Sequence, residues 1–68
     1  MYNLNANKLN GKIVEKGMTK EGLAMVIGVD RATLFRRIKN NKLLLSDVHK
    51  IIKALDLTTE ETLNIFFS

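Results

Sequence analysis

Sixty-eight residues with eleven Lys and Arg, seven Asp and Glu and one His carry a net charge of +4, enough chain for one domain. The absence of cysteine excludes disulfides and thiolate metal centres, and His49 alone leaves too few ligands for a zinc site. Below roughly 70–80 residues a single core is small, so tight helix packing or a partner chain must supply stability.

No proline and only four glycines fit an all-α chain, and the 3.6-residue periodicity predicts five helices. The first covers about residues 6–16, with Ala6, Leu9 and Ile13 inward and the row Lys8, Lys12, Lys16 outward. Gly17 follows as a left-handed C-terminal cap. Thr19 caps a second helix over residues 20–27. Gly28 occupies a tight turn that suits positive φ. Asp30 caps the third helix, which runs to about Asn40; its carboxylate can accept backbone N–H bonds and suits the helix dipole. The fourth helix begins at Leu45 or Ser46 and ends at Leu55, with Val48, Ile51, Ile52 and Leu55 at core spacing. The fifth starts at Thr58 and reaches about Phe66, opened by a capping box in which Glu61 reaches back to Thr58.

Charge is concentrated in one place. Residues 31–42 hold Arg31, Arg36, Arg37, Lys39 and Lys42 and no acid, whereas the rest of the chain has six cations against seven acids. On a wheel of 100° per residue, Leu34 and Ile38 of the third helix fall within about 40° of each other. Ala32, Phe35, Arg36 and Lys39 fall on the other half, and Arg31 projects from the first turn. The apolar side suits packing on Leu23, Ala24 and Ile27 of the second helix. A basic half opposite an anchored apolar half is the electrostatic footprint of polyanion binding, and the helix–glycine turn–helix unit suits the major groove of duplex DNA.

Roles follow from side-chain chemistry. Arg31 and Arg36 are candidates for base contact, because a guanidinium can bond two acceptors of guanine. Ala32 and Phe35 can touch thymine methyls, although Phe35 can instead lean over Arg31 or the fourth helix as packing. Lys20, at the start of the second helix, Thr33, and the basic stretch Lys39, Asn40, Asn41 and Lys42 suit the phosphate backbone, as does Arg37 on the flank. His49 reads as a solvated or capping side chain.

The pattern Leu23-Ala24, Gly28-Val29-Asp30, Thr33-Leu34 and Arg36-Arg37-Ile38 resembles the helix-turn-helix of the phage repressor and Cro superfamily, of the XRE type. The run Ile51-Ile52-Lys53-Ala54-Leu55-Asp56-Leu57-Thr58 and the end Ile65-Phe66-Phe67 extend the likeness to nearly the whole chain. The resemblance implies a compact five-helix, lambda-repressor-like all-α domain over residues 1–68. In it, residues 1–5 form an N-terminal arm and the helix-turn-helix covers about 19–40. It also implies a regulator that binds a double-stranded operator, with weak homodimers at least on DNA.

The chain departs from the family pattern in three ways. Gly22 stands where a Glu or Gln would complete a capping box with Thr19. Asn40-Asn41 replaces a glycine turn after the third helix. Met25 and Val26 are apolar where relatives are polar, so the N-terminal arm (Tyr2, Leu4) is expected to cover them, or else they form a protein contact.

At the other end, one of the adjacent Phe66 and Phe67 must be partly exposed. Leu63, Phe66 and Phe67, with Met25 and Val26, are therefore the candidate dimer or partner surface. A two-fold contact there sets half-sites about 34 Å apart.

The leading expectation is a repressor or Cro-like switch protein that occludes a promoter. The competing one is a protein-interaction module, an antirepressor or an antitoxin, gripping its partner through Met25/Val26 or Phe66/Phe67. No nucleophile–base–orienter set and no phosphate-cradling glycine loop is present, so catalysis, cofactor, metal and small-molecule ligand are not expected. No apolar run approaches the roughly 18 residues of a membrane span and no leading cations mark a signal peptide, so a cytoplasmic protein of a bacterium or phage-infected host, without membrane partner, is expected.

Overall fold

The computed structural model describes residues 3–67 as five helices: α1 (Ala6–Glu15), α2 (Lys20–Ile27), α3 (Arg31–Lys39), α4 (Leu45–Leu55) and α5 (Thr59–Phe66). α2 packs against both α3 and α4, while α1 bridges α2 and α5, giving a body of 26 × 24 × 19 Å. All five helices send apolar side chains into one core. Leu9, Leu23, Leu34, Ile51 and Phe66 are fully enclosed there. Among the described residues no helix is long and apolar enough to cross a membrane.

Each helix boundary has a local cause. Asn5 opens α1 by accepting from the Lys8 N–H at 3.1 Å, and Thr19 Oγ1 accepts from the Gly22 N–H at 2.9 Å. A Cβ on Gly22 would lie 3.2 Å from that hydroxyl, so glycine at this position leaves the cap room. α2 ends at Gly28 with φ 73°, where the Val29 N–H donates to Ala24 and the Gly28 N–H to Met25, satisfying carbonyls the helix would otherwise leave open. At α5, Thr58 Oγ1 accepts from the Glu61 N–H and Glu61 returns the bond to the Thr58 N–H, as the capping-box spacing predicts.

The end of α3 uses the same device without glycine. Asn41 takes φ 56°, and Lys42 and Asn41 donate back to Arg37 and Ile38. Asn and Asp tolerate the left-handed region better than other side chains. Asn41 Oδ1 also accepts from the Leu4 N–H at 3.1 Å. The loop after α3 is thereby tied to the chain's beginning.

Three expectations are corrected. First, the N-terminal segment does not cover Met25 and Val26, which are 82% and 60% exposed. The Asn3 and Asn5 N–H groups donate instead to the Phe66 and Ile65 carbonyls, each at 2.7 Å, in a parallel bridge to Phe67. The last carbonyls of α5 lack helical partners and attract those donors; Tyr2 lies outside the described residues. Second, Lys12 is not on a solvated row. It pairs with Glu15 at 2.8 Å and also contacts Glu61 of α5, with four-fifths of its side chain enclosed. Third, Phe66 is fully buried whereas Phe67 is half exposed, which removes Phe66 from any partner surface. Ile65 and Phe66 take the inner side of α5, and Phe67 follows just past the helix end.

Candidate nucleic-acid interface

α3 is fixed at both ends and along one side. Asp30 Oδ2 accepts from the Ala32 and Thr33 N–H groups at 3.1 and 3.4 Å, which engages the acid closest to Arg31 in capping. Leu34 and Ile38 bury the inner side of the helix against the core. The outer side leaves Arg31, Ala32, Arg36, Lys39 and Asn40 exposed. Among the described residues neither Arg31 nor Arg36 is paired with a carboxylate. A guanidinium without an internal partner keeps its full fork of donors for a ligand.

Thr33, Phe35 and Arg37 are half-buried on the flanks of the helix. Phe35 does not project freely from the outer half: its ring centroid lies 5.3 Å from Lys20 Nζ and 5.4 Å from Arg31 Cζ. A ring at this range attracts both cations through its quadrupole. It therefore brings the start of α2 and the start of α3 to one place. On the wheel Phe35 sits about 80° from the centre of the apolar stripe, a border position that the two-way division of the helix obscured.

Arg37, grouped in the sequence with the free cations, has a partner within the chain. Its Nη1 donates to Asp47 Oδ2 at 2.9 Å, and the same oxygen accepts from the Leu44 N–H at 3.1 Å. Asp47 is buried at the third position of α4, whose first residues have no side-chain cap from Leu44. Sequence reasoning passed over Asp47. Its signal was present, since an acid in the first turn of a helix with an apolar cap residue is a ready acceptor for the open N–H groups.

Lys20, Lys39, Asn40, Asn41 and Lys42 are all exposed. Lys20 and Lys39 share the rim of a hollow of about 270 Å³ with Phe35, Ile38, Ala6 and Asn10. Asn10 Oδ1 is buried with no hydrogen-bond partner among the described residues. Asn10 is a second residue that sequence reasoning did not bring to this face; one polar residue on an amphipathic helix carries no signal of that kind.

The face thus gathers the N-terminus of α2, the outer side of α3 and the loop that follows it; Asp30 is engaged in capping and Asp47 is paired with Arg37, while Glu21 in the first turn of α2 is exposed. A helix-turn-helix family model matches residues 12–62, which takes in the last part of α1 and all of α2, α3 and α4. No curated protein and no solved structure matches the chain significantly. The match covers three quarters of the sequence and includes the glycine turn and the anchored basic helix described above, and the chain belongs to the helix-turn-helix family of DNA-binding transcription regulators.

Proposed function

We propose that this chain is a sequence-specific regulator of the repressor or Cro-like kind that lays α3 into the major groove of an operator. The observation that carries the reading is the outer side of α3: Arg31 and Arg36 are exposed and, among the described residues, without carboxylate partners, on a helix held by Asp30 at one end and by Leu34 and Ile38 within. Arg36, at the middle of that side, reads a guanine through its paired donors, and Arg31 reads a base ahead of the helix. Ala32 is small enough for a thymine methyl to approach.

Phe35 contributes as a platform that orients Arg31 and Lys20, with its exposed edge available to a base. Lys20, Thr33, Lys39, Asn40, Asn41 and Lys42 hold the backbone phosphates, the α2 N-terminus adding its partial positive charge. Arg37 acts through Asp47, fixing the corner between α3 and α4.

The chain forms a weak homodimer on DNA. Leu63 of α5 and Phe67 just past its end, both about half exposed, are the apolar surface offered for the two-fold contact. Symmetry then places two α3 helices about 34 Å apart, one turn of the duplex.

Selection of bound sequences from a random duplex pool tests the reading. The expected result is an enriched palindrome with half-sites one helical turn apart. A pool that stays random after repeated selection would contradict sequence-specific binding.

A further inference from the structure

We propose that the groove between α2 and α4 is a docking site for an acidic amphipathic helix of a partner protein, a second surface independent of the DNA face. The groove has a volume of about 370 Å³ and is lined by Val26 and Ile27 of α2 and by Lys50, Lys53 and Ala54 of α4. Its lining is apolar apart from two lysine stems, and no acid lines it. Met25, beside Val26, is the most exposed of the large apolar side chains among the described residues, at 82%. Among the described residues no segment of the chain covers them, because residues 3–5 are bound to α5 and Asn41 instead.

Adjacent exposed apolar residues bordering a groove mark an interaction surface more than they mark chance exposure. Methionine is well suited to such a surface, since its flexible thioether adapts to the shape of what it meets.

Charge selects the occupant. Lys50 and Lys53 stand three residues apart on one helix and therefore lie side by side along one edge of the groove. An apolar floor does not suit a sugar–phosphate strand, which needs donors along its whole length. A helix laid into a groove presents apolar anchors at i, i+3 or i+4, and i+7. Glutamates or aspartates along the flank of such a helix would meet the two ammonium groups. Lysine stems can lie along the apolar surface while their heads reach the guest's carboxylates. The contact would let a DNA-bound regulator hold a second protein without displacing α3 from its groove.

The test uses the full chain and two labelled helical peptides with the same leucine stripe, one flanked by glutamates and one by lysines. The glutamate-flanked peptide is expected to bind about tenfold more tightly or better. Its backbone amide shift changes should fall on Val26, Ile27, Lys50, Lys53 and Ala54. Val26→Glu should abolish this binding, and Lys50→Glu with Lys53→Glu should invert the preference between the peptides. Duplex DNA affinity should stay unchanged in Val26→Glu, with helical circular dichroism confirming that the variant folds.

Equal binding of the two peptides, or shift changes confined to Leu63 and Phe67, would overturn the proposal. So would reduced DNA affinity of Val26→Glu, which would make the groove part of the DNA face. Self-association of the parent chain that Val26→Glu abolishes would assign the groove to a second copy instead.

Discussion

Arg37 Nη1 and Asp47 Oδ2 meet at 2.9 Å between the inner flank of α3 and the first turn of α4. The carboxylate also caps α4 through the Leu44 N–H, so one oxygen sets the position of both helices. Its side chain is 3% exposed and that of Arg37 30%, which makes the pair expensive to break from either side. Arg37→Ala leaves a buried carboxylate with a single backbone donor, and a loss of about 1–3 kcal/mol is expected. Arg36→Ala, exposed and unpaired, should change stability by no more than about 0.5 kcal/mol. Urea unfolding of the two variants compares them directly; equal losses would contradict the assignment. In DNA binding, Lys39→Ala should reduce the salt slope by about one phosphate contact, whereas Arg37→Ala should weaken binding with the slope unchanged.

Asn41 substitutes for glycine at the end of α3 while adding a bond that glycine cannot make. At φ 56° an alanine would be strained by about 1–2 kcal/mol, and it would also lose the bond to the Leu4 N–H. Asn41→Ala is therefore expected to destabilise the chain more than Asn41→Gly, which loses the same bond but relieves the strain. Thermal unfolding gives the order; a glycine variant less stable than the alanine variant would show that backbone geometry is not what selects asparagine here.

The Glu61 carboxyl is held down from its ordinary value of 4.5 to about 2, first by the Lys12 ammonium and then by the Thr58 backbone N–H. Lys12 is in turn raised above its usual 10.5 by its bonds to Glu15 and Glu61. As the solution is acidified, the unfolded chain takes up the Glu61 proton before the folded chain does. Stability from this group is therefore complete above pH 4.5 and lost as pH falls towards about 2. The Lys12 contribution has the opposite sense: it is complete below pH 10.5 and lost as pH rises through the higher folded value. Glu61→Gln should be less stable at neutral pH and should flatten the acid limb of a stability profile. Parent and variant profiles that run parallel from pH 5 to pH 2 would contradict this coupling.

The helices and their ends were legible because their causes are local. Leu34 and Ile38 lie one turn apart, Asp30 and Thr58 sit just ahead of the helices they cap, and Gly28 marks the turn. The basic outer side of α3 follows from the same periodicity. Long-range pairing was not legible. Lys12 and Glu61 are 49 residues apart, and a lysine in an outward row looks the same whether it is solvated or bonded across to another helix. The N-terminal segment was misplaced for a related reason: the open carbonyls at the end of α5 compete for its N–H groups, and hydrophobic complementarity with Met25 and Val26 takes no account of them. Arg37 was grouped with the free cations because the buried acid that engages it lies on a different helix.

Methylation interference on the selected duplex tests most directly whether α3 reads the major groove. Methylation of guanine N7, which faces the major groove, should block binding at one or more guanines in each half-site. In Arg36→Ala one of those guanines should cease to matter, and discrimination at that base pair should fall by about 1–3 kcal/mol. Binding that ignores N7 methylation throughout the site, or an identical interference pattern for Arg36→Ala, would contradict the account.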